Sequence, residues 1–141
     1  MSAPNKKRTF LDTCVLINAF CGTEEISQKA MVIIDDPDRE FIASDFLSLE
    51  LLPKPTFNKK EDAVAFYTEY LLAVSDLVKI TPEVTSEALT LACNFGLGPI
   101  DALHFQAAIN ADVSEFFTSE KRSRAFFNIN NLSITVTSLT N

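Results

Sequence analysis

The chain has 141 residues, enough for one domain with a real core and too few for two comfortable ones. Its 47% hydrophobic content, including twelve Phe, against 22% charged residues is the composition of a folded globular protein and excludes intrinsic disorder. Twelve Lys and Arg against nineteen Asp and Glu leave a net charge of −7, which excludes a protein that holds nucleic acid by bulk electrostatics; such a function needs a local basic patch or metal ions that cancel part of the acid.

The first element is a short apolar strand leading out through Phe10 and Leu11. Asp12 interrupts it, and Val15, Leu16, Ile17, Ala19 and Phe20 resume the apolar character at helical spacing. Cys21-Gly22-Thr23 reads as a helix stop, and residues 24–34 as a second helix with Ile26, Ala30, Ile33 and Ile34 on one face. Residues 35–38 make a polar turn before a short strand, 40–43. Ser44 or Asp45 then caps a helix through Phe46, Leu47, Leu49, Glu50, Leu51 and Leu52, which Pro53 and Pro55 end.

Asn58 is expected to open the next helix, with Glu61 completing a capping box. Ala63, Tyr67, Tyr70, Leu71 and Val74 share its apolar face. A strand at 77–80 precedes a helix with Thr81 as N-cap, Pro82 at its first position and Gly96 as its stop. Gly98-Pro99 begins another helix over 100–111, with Asp101 in its first turn. The pattern closes with a strand at 116–118, a short helix at 119–126 and a last strand at 132–136. Strands alternate with helices throughout, so the expected fold is α/β: a mostly parallel central sheet with helices on both faces, as one domain over residues 1–141.

Cys14, Cys21 and Cys93 are odd in number, lie in apolar sequence and lack the spacing of a zinc site, so they read as buried thiols in a reducing compartment. The basic start lacks a convincing cleavage site, and no apolar run approaches the roughly 18 residues of a membrane span. These features point to a soluble, cytoplasmic protein.

Four acids stand at element boundaries or inside an apolar helix: Asp12, Glu50, Asp101 and Glu120. If the strands run parallel, three of them share one edge of the sheet and the helix of Glu50 overhangs it. Clustered carboxylates repel one another unless a cation sits among them. An all-oxygen site suits Mg2+ or Mn2+, and such a site binds and hydrolyses phosphodiesters well. Each acid also has a plainer reading. Asp12 qualifies as a helix N-cap, Asp101 as a first-turn acid favoured by the helix dipole, and Glu120 as part of a solvated helix start. Glu50, flanked by leucines, calls for a partner or an exposed helix seam. His104 lies on the same helix face as Asp101 and reads better as a packed or hydrogen-bonded histidine than as a metal ligand. Lys121, Arg122 and Arg124 are candidate RNA-phosphate contacts, as are the more distant Lys59 and Lys60. Phe66, Tyr67 and Tyr70 are mainly core, with a dimer or partner surface as the other possibility.

The segments Leu11-Asp12-Thr13-Cys14-Val15-Leu16-Ile17, Leu49-Glu50-Leu51-Leu52, Asp101-Ala102-Leu103-His104 and Phe117-Thr118-Ser119-Glu120-Lys121 together resemble the PIN-domain nucleases, most closely the VapC-type toxins. The resemblance spans nearly the whole chain. It implies a three-layer α/β/α sandwich and a metal-dependent endoribonuclease, with Asp12, Glu50 and Asp101 as metal-binding and water-activating acids, and Thr13 and Thr118 as supporting hydroxyls. It also implies an RNA substrate, a homodimer and an antitoxin partner. Glu120 stands where many members carry Asp, and Cys14 where Asn or Ser is common. The alternatives are a catalytically weak PIN-like scaffold that binds RNA or a protein, and a phospho-acceptor receiver domain. The latter expects its Asp at the end of a middle strand and a Lys at the end of a later one, whereas Asp12 follows the first strand and no Lys stands at the end of the last.

Overall fold

A computed structural model describes residues 5–121, 125–129 and 133–140. Strand β1 (Lys7–Leu11) runs from an exposed start to a fully buried end and passes at Asp12 into α1 (Thr13–Cys21). Space dictates the next corner: a Cβ at Gly22 would lie 2.6 Å from the Asn18 carbonyl oxygen and from Ile26 Cγ2. Thr23 then caps α2 (Glu24–Ile34), its hydroxyl accepting from the Ile26 N–H. Strand β2 (Arg39–Ser44) leads into α3 (Asp45–Leu51), α4 (Pro53–Phe57) and α5 (Glu61–Ala73). After β3 (Asp76–Val78), α6 (Pro82–Phe95) starts under a Thr81 cap and stops at Gly96, whose left-handed backbone (φ 71°) only glycine adopts without cost. Helix α7 (Pro99–Asn110), β4 (Glu115–Thr118), a 3-10 turn (Ala125–Asn128) and β5 (Thr135–Ser138) complete the order.

The strands form one sheet in the order β3-β2-β1-β4-β5, each neighbouring pair parallel. Phe10 pairs with Ile42 and Phe116, and Thr9 with Phe41 and Glu115, so alternate residues mark the two faces. On the Phe10 face, α7 packs Phe105 5.0 Å from the Phe116 ring, which itself stacks on Phe10 at 5.5 Å. On the other face, Tyr70 of α5 meets Phe41 at 5.7 Å. Burying Phe10, Phe105 and Phe116 is worth about 1.5–3 kcal/mol each, and covering both faces yields the three-layer α/β/α sandwich. The chain leaves β1 for β2 on one side, and β4 flanks it on the other, so the order reverses at β1. That switch point, at the carboxyl ends of β1 and β4, is where an open parallel sheet places its ligand crevice.

Several local expectations shift. Pro53 does not end in a loop; it starts α4, and Pro55 also lies in that first turn, where backbone N–H groups have no helical partner to lose. Asn58 is therefore the C-cap of α4, donating its N–H to Lys54 O. Lys59 turns the chain in a left-handed conformation (φ 58°), and Lys60 precedes α5 with no side-chain cap. The last strand sits at Thr135–Ser138 because its register is set by β4; Leu132 lies outside the described residues. Instead of a helix from 119, Ser119–Lys121 bends away without helical structure. Tyr67 and Tyr70 are core residues at 5% and 7% exposure, which removes them from any partner surface. The thiols are not all buried: Cys14 is half-buried, and Cys21 and Cys93 are exposed. No helix among the described residues is long and apolar enough to cross a membrane.

Candidate active site

Asp12 follows the last residue of β1 and is only 4% exposed. Its N–H extends the β1–β4 ladder by donating to Phe117 O, which fixes the backbone at the crevice. The carboxylate then caps α1 as Oδ1 accepts the Thr13 N–H at 2.9 Å. Oδ2 accepts the Thr118 hydroxyl from the end of β4 at 3.0 Å and the Cys14 thiol at 3.3 Å. Burial pushes the Asp12 pKa above its usual value, the charge of Asp101 adds to that, and His104 and the two donors only partly oppose it. Asp12 is thus both the cap foreseen in the sequence and a buried acid under electrostatic pressure from a second one.

Asp101 enters through the first turn of α7. Gly98 precedes that helix as an N-cap without a side chain to offer, and Pro99 occupies the first position. Its helix is the most deeply packed in the fold, with Ala102, His104, Phe105, Gln106, Ala107 and Ala108 all buried. A carboxylate on this helix is held by the core itself.

Glu50 comes from α3, a helix with Leu47 and Leu51 buried but Leu49 63% exposed. The glutamate sits on that outer seam and also has a partner. Its Oε1 accepts from the Thr13 hydroxyl and contacts Nε2 of His104, which in turn lies 3.2 Å from Thr13 Oγ1. Burial alone would raise the Glu50 pKa; the His104 and Thr13 hydrogen bonds and the His104 charge outweigh it and hold the group below its usual value. Glu50 is therefore an acceptor-only carboxylate, and Nε2 of His104 carries the hydrogen between them.

Glu120 is placed by its backbone: its N–H donates to Thr118 Oγ1 at 3.1 Å and its carbonyl accepts the Ser138 hydroxyl at 2.6 Å, tying it to the ends of β4 and β5. Lys121 is exposed, and Arg122 and Arg124 lie outside the described residues. Among the described residues, no three His, Cys, Asp or Glu side chains are drawn together closely enough to hold a metal ion. What the fold brings to the crevice is the buried Asp12 within electrostatic reach of Asp101, and Glu50 tethered separately by Thr13 and His104.

Two contacts were not legible in the sequence. Cys14 Sγ accepts the Ser119 N–H at 3.2 Å while its S–H faces Asp12, and Asn18, one turn further along α1, donates to Ser119 Oγ at 2.9 Å. Their spacing of four on one helix is the only sequence signal, and it points at nothing until β4 is known to lie opposite. Burial first, and then Asp12, pushes the Cys14 thiol up to about 11 from 9.0. Since the thiolate is the nucleophile, iodoacetamide at neutral pH is expected to label the exposed Cys21 and Cys93 and to modify Cys14 roughly 100-fold more slowly. Peptide mass spectrometry over a labelling time course checks this; equal labelling of Cys14 would mean the site is more open than this geometry.

Comparison with known folds agrees with the architecture. A toxin–antitoxin complex from Klebsiella pneumoniae superposes with a TM-score of 0.64 at 19% identity, covering 90% of this chain and 95% of that one. The VapBC2 complex from Rickettsia felis, bound to a DNA fragment from its promoter, gives 0.66 at 16% identity, with 93% and 99% covered. DNA-bound VapBC from Salmonella typhimurium gives 0.64 at 14%, with 92% and 98% covered. Comparison with curated proteins gives no sequence match. The family model of the PIN domain matches residues 9–128, from inside β1 to the 3-10 turn, and so takes in Asp12, Glu50, Asp101 and Glu120. On that match, the chain belongs to the PIN-domain family.

Proposed function

We propose that this chain is a divalent-metal-dependent endoribonuclease, the toxin of a toxin–antitoxin pair, folded as one PIN domain over residues 1–141. The observation that carries the reading is Asp12: a carboxylate buried at the switch point of a parallel sheet, capped and oriented by three donors, and pressed by the charge of Asp101. The donor set of Asp12, Asp101 and Glu50 is all oxygen, which fits a hard cation such as Mg2+ or Mn2+, and two acids that repel in a dry cleft favour one. Bound there, the ion would stabilise charge on the oxygens of a phosphodiester. The chain's own residues do the rest. Thr118 and Cys14 hold Asp12 in one orientation, α7 sets Asp101 beside it, Glu50 is available to orient water through its second oxygen, and Glu120 assists from the β4 exit. Lys121, Arg122 and Arg124, next to it in sequence, are assigned to RNA phosphates.

The fold neighbours were solved as toxin–antitoxin complexes, which supports an antitoxin as protein partner. A homodimer and a cytoplasmic location belong to the same reading. The second reading, a scaffold that binds RNA or protein without cutting, draws on the acids not being gathered into a ready three-donor cage among the described residues.

Incubating the purified protein with a mixed RNA pool, with and without Mg2+ or Mn2+, is expected to give cleavage that needs the ion and disappears in Asp101→Asn. A Mn2+ titration followed by thermal melting should raise the melting temperature of the parent protein. Undiminished cutting by Asp101→Asn would remove the assignment. No cutting together with no stabilisation by millimolar Mn2+ would establish the scaffold reading instead.

A further inference from the structure

Of the three acids assigned to the metal, Glu50 has the least secure mount. Asp12 is locked into the β1–β4 ladder and Asp101 rides on the buried α7, whereas Glu50 projects from a surface helix with 31% of its side chain exposed. A glutamate so placed has several rotamers open to it, and a site that waits for the productive one loses rate. One side chain restricts it from below. His104 is 1% exposed, with its ring packed 5.8 Å from that of Phe10, and its Nε2 reaches Glu50 Oε1 and Thr13 Oγ1 together.

The other ring nitrogen supplies an independent observation. Nδ1 of His104 is buried without a hydrogen-bond partner. An unpaired buried polar atom costs stability, and an apolar side chain of similar size would fill the same space without that cost. Packing therefore does not explain a histidine here: among the described residues its ring hydrogen-bonds within the triangle with Glu50 and Thr13, and its charge also acts on Asp12.

We propose that His104 is the positioning residue of the RNA-cleavage site: by donating from Nε2 it fixes the orientation of the Glu50 carboxylate relative to the block that carries Asp12 and Asp101, without touching substrate. The inference rests on the nuclease reading above. Its physical logic is that one rigid block locates all three acids. Phe10 lies on β1 two residues before Asp12, Asp101 lies on α7 three residues before His104, and the imidazole packed between that helix and that strand carries the reference out to Glu50 on α3. Thr13 closes the triangle from the first residue of α1.

The test separates positioning from packing. His104→Leu should keep or raise the melting temperature, lower kcat for RNA cleavage by about 10- to 100-fold and leave KM within about threefold. His104→Gln, which can still present an N–H towards Glu50, should recover part of the loss. In a Glu50→Gln background, His104→Leu should have no further effect on kcat, because the residue acts through Glu50. His104 is the only histidine in the chain, so its ring 15N resonances are unambiguous, and Glu50→Gln should shift Nε2 more than Nδ1. Wild-type kcat in His104→Leu, or losses that multiply in the double variant, would overturn the positioning role. Lack of cleavage by the parent protein would instead overturn the nuclease reading, and this role with it.

Discussion

Asp12→Asn is expected to abolish metal-dependent RNA cleavage, by about a thousandfold or more, while the protein melts no lower than its parent. The two halves have separate causes. Asn is as good an N-cap as Asp and can still accept the Thr13 N–H, while its amide can donate to Thr118 Oγ1 where the carboxylate accepted, so α1 and the β1–β4 crevice keep their geometry. What disappears is the negative charge. In metal-free buffer that charge is a burden: burial and Asp101 hold the folded-state pKa of Asp12 above its usual 3.8, so the folded state binds the proton more tightly than the unfolded chain does. The sign follows. Stability falls as the pH rises from the unfolded pKa through the folded one, and Asp12→Asn removes that loss. Calorimetry over a pH series, with RNA cleavage in parallel, reads both effects. Mn2+ should stabilise the parent protein and leave the variant unmoved. Retained cleavage would take Asp12 out of the reaction, whereas a drop of several degrees in melting temperature would make it chiefly a structural cap.

Arg39→Met is expected to destabilise the fold by about 2–3 kcal/mol without changing cleavage measured well below the melting temperature. Arg39 stands at the opposite, amino-terminal edge of the sheet, 16% exposed in its side chain. It donates from Nε to Glu115 Oε2 at 2.8 Å and from NH1 to Asp36 at 2.7 Å, with its guanidinium 5.3 Å from the centre of the Phe117 ring. Thr9 donates to the same Glu115 oxygen from the strand between them. Removing the arginine leaves a carboxylate that is 15% exposed with Thr9 and a loosely placed Lys7 at 4.0 Å, so the larger part of the cost is the stranded charge. Burial alone would raise the Glu115 pKa, but the Arg39 and Thr9 hydrogen bonds outweigh it and hold the group below its usual 4.5. The stabilisation is therefore present above that value and lost as the pH falls through the folded-state pKa. Urea melts of the parent and of Arg39→Met should converge towards acid, and Glu115→Gln in the Arg39→Met background should restore part of the loss at neutral pH. A gap that stays constant down to acid pH would remove Glu115 from the explanation.

Sequence signals located the elements whose ends are chemical. The α2 boundaries, the Thr81 cap with Pro82 and the Gly96 stop on α6, and the start of α7 at Gly98-Pro99 follow from side chains that bond or bend their own backbone within a few residues. Alternation of strand and helix was enough for the α/β class. Proline was the ambiguous signal: Pro53 stops one helix and starts another, and only the conformation of the residues after it tells which. The strand at Thr135–Ser138 fell outside the expected range because a parallel edge strand is placed by its neighbour, through pairs such as Phe116 with Val136, more than by its own residues.

The same division runs through the candidate site. Asp12, Asp101, Glu50 and Glu120 could be nominated from the sequence because each interrupts an apolar context or stands at an element's end. Their relations could not. The order β3-β2-β1-β4-β5 makes β1 and β4 neighbours and so puts Thr118, more than 100 positions along the chain, onto Asp12. It is also what lets His104 reach Glu50, 54 positions away, and turns a histidine noted on the face of Asp101 into the anchor of a different acid. By itself the sequence determined the class of fold, the helices whose ends are set by their own capping residues, and the candidate acids, because caps, periodicity and residue chemistry act over a few residues. Only the tertiary structure decided which acids share a cleft and which is held by what, because those contacts depend on strand order and packing between segments that the chain keeps far apart.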